Sequence, residues 1–188
     1  MLGNWEQRWM ELNVSLERLE RVHTGQPGGS QDAQIDLQSF FDRSIALGEW
    51  AAGAVGISLN TLRLAVCGLP GPPWIAISRD LAIASKHSRR DGASWSGDPN
   101  VRLASQNATV FTKTIRARGS VHVPGQGAFP RPTQRMGPIR SAHSWSIGYT
   151  PPSTGVLEKL SALDVARGTV TQWEGLLGDL GLRWGRVD

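Results

Sequence analysis

The chain has 188 residues and a formal net charge of +4, with eight tryptophans but a single tyrosine and a single cysteine. That length fits one domain with a substantial core, one cysteine excludes an internal disulfide, and no Cys/His cluster offers a structural zinc site. No apolar run has the length of a signal peptide or the roughly 20 residues of a membrane span, so the expectation is a soluble, cytoplasmic protein with no membrane partner.

Residues 4–22 predict an amphipathic helix. Trp5, Trp9, Leu12, Leu16 and Leu19 form a seam with alternating spacings of four and three. Asn4 is the expected N-cap, with Gln7 as its capping-box partner. Gly25 to Ser30 is a connector. A second helix is expected over 32–55, with Leu37, Phe40, Phe41, Ile45 and Trp50 on its apolar face. A short third one, capped by Asn60, is expected over 60–67 through Leu62, Leu64 and Val66. Cys67, among apolar neighbours, reads as a core thiol rather than a nucleophile.

The run Gly68 to Pro73 breaks the chain, and Pro73 suits the start of a fourth helix over 73–90. Ile77, Leu81, Ala84 and Ser88 make its apolar face. At about 100° per residue, Arg79, Asp80, Lys86 and His87 fall within an arc of another face. An imidazole and two cations beside an acid are the groups of a metal-independent ribonuclease, in which His87 moves protons and Arg79 stabilises developing charge. The same residues also suit a structural role, with Asp80 bonding a neighbouring helix or backbone group and His87 capping the helix C-terminus.

From Val101 the apolar period changes from 3.6 toward two. Phe111, Lys113, Ile115 and Ala117 alternate in one strand signal, and His143, Trp145, Ile147 and Tyr149 in another. Residues 119–138, rich in Gly and Pro, are expected to form the mobile tip of a hairpin or small sheet spanning about 101–150. No acidic residue lies between Asp98 and Glu158, an interval holding Arg102, Lys113, Arg116, Arg118, Arg131, Arg135 and Arg140. Lys113, Arg116, Arg118, Arg131, Arg135 and Arg140, together with Arg89 and Arg90, are the candidate nucleic-acid contacts, and Phe129, Trp145 and Tyr149 the candidate stacking residues. His122 and His143 are too isolated to be ligands. After Pro151-Pro152-Ser153 a final helix is expected over 155–180, with Leu163, Ala166, Val170, Trp173, Leu177 and Leu180 on one face and Gly181 as its stop. The fold class is therefore mainly α, a helical bundle with a small basic β insertion before the last helix. No metal site, phosphate loop or Ser-His-Asp set is legible, so neither metal nor cofactor is expected.

The segment Arg79-Asp80-Leu81-Ala82-Ile83-Ala84-Ser85-Lys86-His87 resembles the Asp-Leu-Ala-Asn-Gly-Ser-Lys-His signature of a group of bacterial helical proteins similar to HEPN domains. Phe40-Phe41, followed by Leu47-Gly48-Glu49-Trp50, resembles the helix before that signature, and Val170 to Leu177 resembles its closing helix. Ile83 stands where the signature has Asn, Ala84 where it has Gly, and Glu49 where the helix has Asp. The resemblance implies a HEPN-like bundle and an RNA- or nucleotide-directed protein. By association it implies a ribonuclease of a defence or toxin–antitoxin system, acting as a homodimer or within a larger assembly. The catalytic candidates are then Arg79 and His87, supported by Asp80 and Lys86. Seven residues separate Arg79 from His87, whereas four to six separate the pair in the ribonuclease form. The alternative is a non-catalytic binding or assembly protein whose basic insertion contacts nucleic acid or an acidic protein partner.

Overall fold

A computed structural model describes residues 4–25, 33–86, 94–111, 114–123, 127–136 and 140–182; at 4, 85, 86, 108–111, 114–123, 127–136, 140 and 141 it describes the backbone only. Among the described residues five helices carry the fold: α1 (Asn4–Thr24), α2 (Ala33–Val55), α3 (Leu59–Cys67), α4 (Trp74–Lys86) and α5 (Ala162–Asp179). Between α4 and α5 run β1 (Arg102–Phe111), β2 (Thr114–Val123), β3 (Gly127–Met136), β4 (Arg140–Tyr149) and β5 (Glu158–Ser161). The chain is thus mainly helical with a β insertion before the last helix. Among the described residues no single helix is long and apolar enough to cross a membrane.

Helix α1 packs along α2, α4 packs against α2 and α5, and α5 also reaches α1. The α1 seam goes inward: Leu12 and Leu19 are buried with Trp9, and Trp5 and Leu16 pack against that core. The Gln7 side-chain amide donates to Glu11 Oε1 at 3.0 Å, one turn on, and the side chain of Asn4, the expected N-cap, lies outside the described residues. Leu37, Phe40, Phe41 and Leu47 fill the middle from α2, whereas Trp50 is exposed. Helix α3 turns by 115° from α2. Its N-cap is Ser58 rather than Asn60; the Ser58 hydroxyl accepts from the Thr61 amide. Leu62 and Val66, four apart, are buried, and Leu64 between them faces outward. Cys67 follows Leu64 onto the open side, so it is exposed rather than a core thiol.

Helix α4 is buried on most of its circumference: Ile75, Ala76, Ile77, Ser78, Asp80, Leu81 and Ala82 are all covered. Ala84 is exposed, contrary to the expected face. Its N-terminus is capped from another helix. Gln172 of α5 accepts from the Ile75 amide at 3.1 Å and donates to the Pro72 carbonyl at 2.8 Å. This supplies one of the partners that a helix start lacks within itself. Where α4 crosses α5, the Ser78 and Thr169 hydroxyls meet at 2.6 Å in a buried pair, and Thr169 Oγ1 also lies 3.1 Å from the Trp74 carbonyl. Gly168 lets the helices approach this closely, since a Cβ there would meet Trp74 Cδ1 at 2.2 Å.

The strands form two sheets. One has the order β1-β4-β5, and the other pairs β2 with β3, all antiparallel. Ile147, Trp145 and Tyr149 of β4 are buried against the helices. Trp145 and Tyr149 are therefore core residues and not open stacking platforms. The expected start of the last helix needs correction: Glu158–Ser161 is a strand that extends the β4 edge, with Leu160 opposite Ile147. The helix begins at Ala162, behind the Ser161 N-cap. Most of the expected mobile tip also lies in strand, with Pro130 and Pro132 inside β3. β3 has one partner, so a proline there removes no donor from a central ladder.

Candidate functional site

Of the four residues that the sequence groups on the fourth helix, the structure describes the side chains of Arg79 and Asp80. Asp80 is fully buried. Its Oδ2 accepts from Ser94 Oγ at 2.6 Å, from Ser96 Oγ at 2.7 Å and from the Ser96 amide at 3.0 Å, while Oδ1 accepts from the Trp95 amide at 3.2 Å. A carboxylate so deep needs donors on both oxygens, and the loop after α4 supplies them. Asp80 is thus a clamp on that loop. Asp98 is a second clamp, also buried: Oδ1 accepts from the Asn100 amide and Oδ2 from the Thr150 amide, both at 2.7 Å. The two carboxylates tie the 94–100 loop to α4 at one end and to the end of β4 at the other.

The loop in turn sets the neighbour of Asp80. The guanidinium carbon of Arg79 lies 4.3 Å from the centroid of the Trp95 ring, a cation–π stack. Arg79 Nη1 is 3.6 Å from Asp80 Oδ1. Arg79 therefore has a fixed position, with its side chain about a quarter exposed (27%). Lys86 ends α4, and of its side chain nothing is described; His87, Arg89 and Arg90 lie outside the described residues.

Arg79 borders a cleft of about 420 Å³. Ser44, Ile45, Gly48 and Glu49 line it from α2, Leu59, Asn60, Leu62 and Arg63 from α3, and Ile75 and Ile83 from α4. Trp95 and Trp173 complete the wall. Trp173 is buried and its Nε1 donates to Ser44 Oγ at 2.9 Å. Gly48 makes room for that indole, since a Cβ would meet Trp173 Cη2 at 3.1 Å. Cys67 Sγ bonds the Trp95 carbonyl at 3.4 Å from the other side of the loop. Nothing in the sequence pointed to this cleft, because its lining comes from four helices and a loop without a shared spacing. Among the described residues no group of three His, Cys, Asp or Glu could hold a metal ion.

Tyr149 closes the loop network, with its hydroxyl 3.3 Å from the Ser96 carbonyl. Burial, and then the charges of Asp98, Glu158 and Asp80, push its phenol above the ordinary 10.0. The folded state therefore holds this proton longer than the unfolded chain does. The stability linked to it is fully present below pH 10.0, the unfolded value, and is lost as pH rises through the higher folded value. Tyr149 is the only tyrosine, so phenolate absorbance reads it directly. The expected result is a midpoint above that of the unfolded chain in denaturant; coincident midpoints would refute a buried phenol.

The basic candidates lie on a separate element. Arg116 and Arg118 are in β2, Arg131 and Arg135 in β3, and Arg140 opens β4, while Lys113 is outside the described residues. The register sets Arg116 opposite Gln134, Arg118 opposite Pro132, Arg131 opposite Gly119 and Arg135 opposite Ile115. Among the described residues of the ribbon no two cations are directly opposite, which avoids the cost of like charges facing each other across strands. His143 stacks on Trp145 with ring centroids 6.0 Å apart, and His23 Nδ1 lies 3.2 Å from its carbonyl. Compared with protein-family models, curated proteins and solved structures, the chain matches none.

Proposed function

We propose that this protein is a nucleic-acid-binding module whose basic β2–β3 ribbon contacts the phosphate backbone of a duplex. The observation that carries this reading is the β2–β3 ribbon, which holds four arginines and no acid, with Arg116 and Arg118 at register positions of one face and Arg131 and Arg135 at those of the other. Ten residues per strand extend about 33 Å, enough to follow several phosphates. A two-stranded ribbon fits the major groove of B-form DNA, whereas the A-form RNA major groove is too narrow for side chains to read. The helical body then serves as the mount. Asp80 and Asp98 support this role, since both are spent on anchoring the loop that leads into the β insertion.

The test is a fluorescence-anisotropy titration of duplex DNA, duplex RNA and single-stranded RNA at several salt concentrations. Tight, salt-dependent binding to duplex DNA is expected. Replacing Arg116, Arg118, Arg131 and Arg135 by Gln should lower the slope of log affinity against log salt by about one per lost phosphate contact. Absence of binding, or binding unchanged by the fourfold substitution, would sink the proposal. Preference for single-stranded RNA would move the assignment to stacking recognition. RNA cleavage in EDTA by wild type but not by Arg79→Gln would replace it with the ribonuclease reading.

A further inference from the structure

We infer that the cleft between α2, α3 and α4 is a binding site for a small organic monoanion with an apolar body, such as an aromatic carboxylate. This inference is independent of the ribbon. The charge in the cleft is asymmetric. Arg79 is held at Asp80 and stacked on Trp95, so its cation is matched within the protein. Arg63 also lines the cleft, is half-buried and forms no ion pair among the described residues. A partly desolvated guanidinium without a partner favours a carboxylate, which it can hold through two parallel hydrogen bonds. Glu49, exposed on the same lining, opposes a second negative charge. One anionic group fits better than two.

The remaining surface decides the body of the ligand. Ile45, Leu59, Leu62, Ile75 and Ile83 make the wall aliphatic. Asn60 adds a polar group that can donate and accept. The volume of about 420 Å³ lies in the range of small-molecule pockets, roughly 300–1,000 Å³. The walls are also preset. The Trp173–Ser44 bond fixes the back, and the Asp80 clamp fixes Trp95 with the Arg79 stack. A site that needs no ordering on binding loses less affinity to entropy.

Isothermal titration with 1-naphthoate as the probe tests this. One site per chain is expected, with a dissociation constant below ~1 mM. The neutral analogue 1-naphthalenemethanol and the dianion 1-naphthyl phosphate should both bind at least ~10-fold more weakly, and Arg63→Gln should weaken naphthoate by a similar factor. Ile83→Trp, which fills the cleft, should abolish the site, while Arg18→Gln on the exposed side of α1 should not change it. Thermal unfolding of each variant confirms that it is folded. No saturable binding by wild type, equal binding of the neutral analogue, tighter binding of the dianion, or binding unchanged in both Arg63→Gln and Ile83→Trp would each overturn the inference.

Discussion

Asp80→Ala is expected to lower folding stability by about 3–5 kcal/mol, a large part of the 5–15 kcal/mol that holds a domain together. The cost comes from what is left behind. The Trp95 and Ser96 amides and the Ser94 and Ser96 hydroxyls would lose their common acceptor in a fully buried position. Asp80→Asn should do little better, because its amide nitrogen presents a donor to a site built of donors. Urea unfolding measures the loss, and an unchanged m-value would place it in the folded state. A loss below about 1 kcal/mol would mean that water replaces the carboxylate without penalty, and the clamp would then be dispensable.

A pair of glycine substitutions in α5 should have opposite signs. Gly168→Ala puts a methyl 2.2 Å from Trp74 Cδ1 and 2.4 Å from its Nε1. The indole would have to move, and its own carbonyl is tied to Thr169 at the helix crossing. Helix propensity favours alanine by about 1 kcal/mol, yet overpacking of this kind costs about 3 kcal/mol or more, so a net loss of about 2 kcal/mol is expected. At Gly175, exposed on the same helix, a Cβ would meet nothing within 4 Å. There alanine should stabilise by about 0.5–1 kcal/mol. Thermal and urea unfolding of the two variants side by side test the α4–α5 packing. Equal effects would show that the crossing adapts freely.

The helices were legible where one face alone is buried. The seam of α1 and the Leu163, Ala166, Trp173 and Leu177 stripe of α5 are core residues at the spacings their sequences display. Legibility failed where spacing is ambiguous. Leu157, Leu160 and Leu163 fall three apart and imitate a helix, but the first two belong to a loop and a strand whose form is set by the β4 edge. Cys67 has apolar neighbours in sequence, yet the face set by Leu62 and Val66 turns it outward. Asp80 is a different case. Its chemistry suited either an active group or a bond to a neighbouring helix or backbone group, but its partners, Ser94 to Ser96, distant by 14 to 16 positions, could not be named from spacing. The cleft was invisible for the same reason: its two arginines lie 16 positions apart on different helices.

The position of α5 at the far end of the β insertion has a consequence for how the chain assembles. Trp173 meets Ser44 across 129 positions, Gln172 meets Pro72 across 100, and Arg167 meets Glu20 across 147. The last helix is therefore a latch, and the first four must wait for it with the seat of Trp173 empty. During synthesis that seat stays unfilled until α5 itself, which follows the insertion, has left the ribosome. Closing such a long loop costs an entropy that grows only with the logarithm of its length, about 0.6 kcal/mol for each doubling. The interval between α4 and α5 can thus lengthen or shorten at little thermodynamic expense, provided β4 keeps its place. The ribbon, a sheet of two strands that among the described residues pair with each other and not with β1, β4 or β5, can therefore change in length without altering the register of the sheet that holds α5 in place.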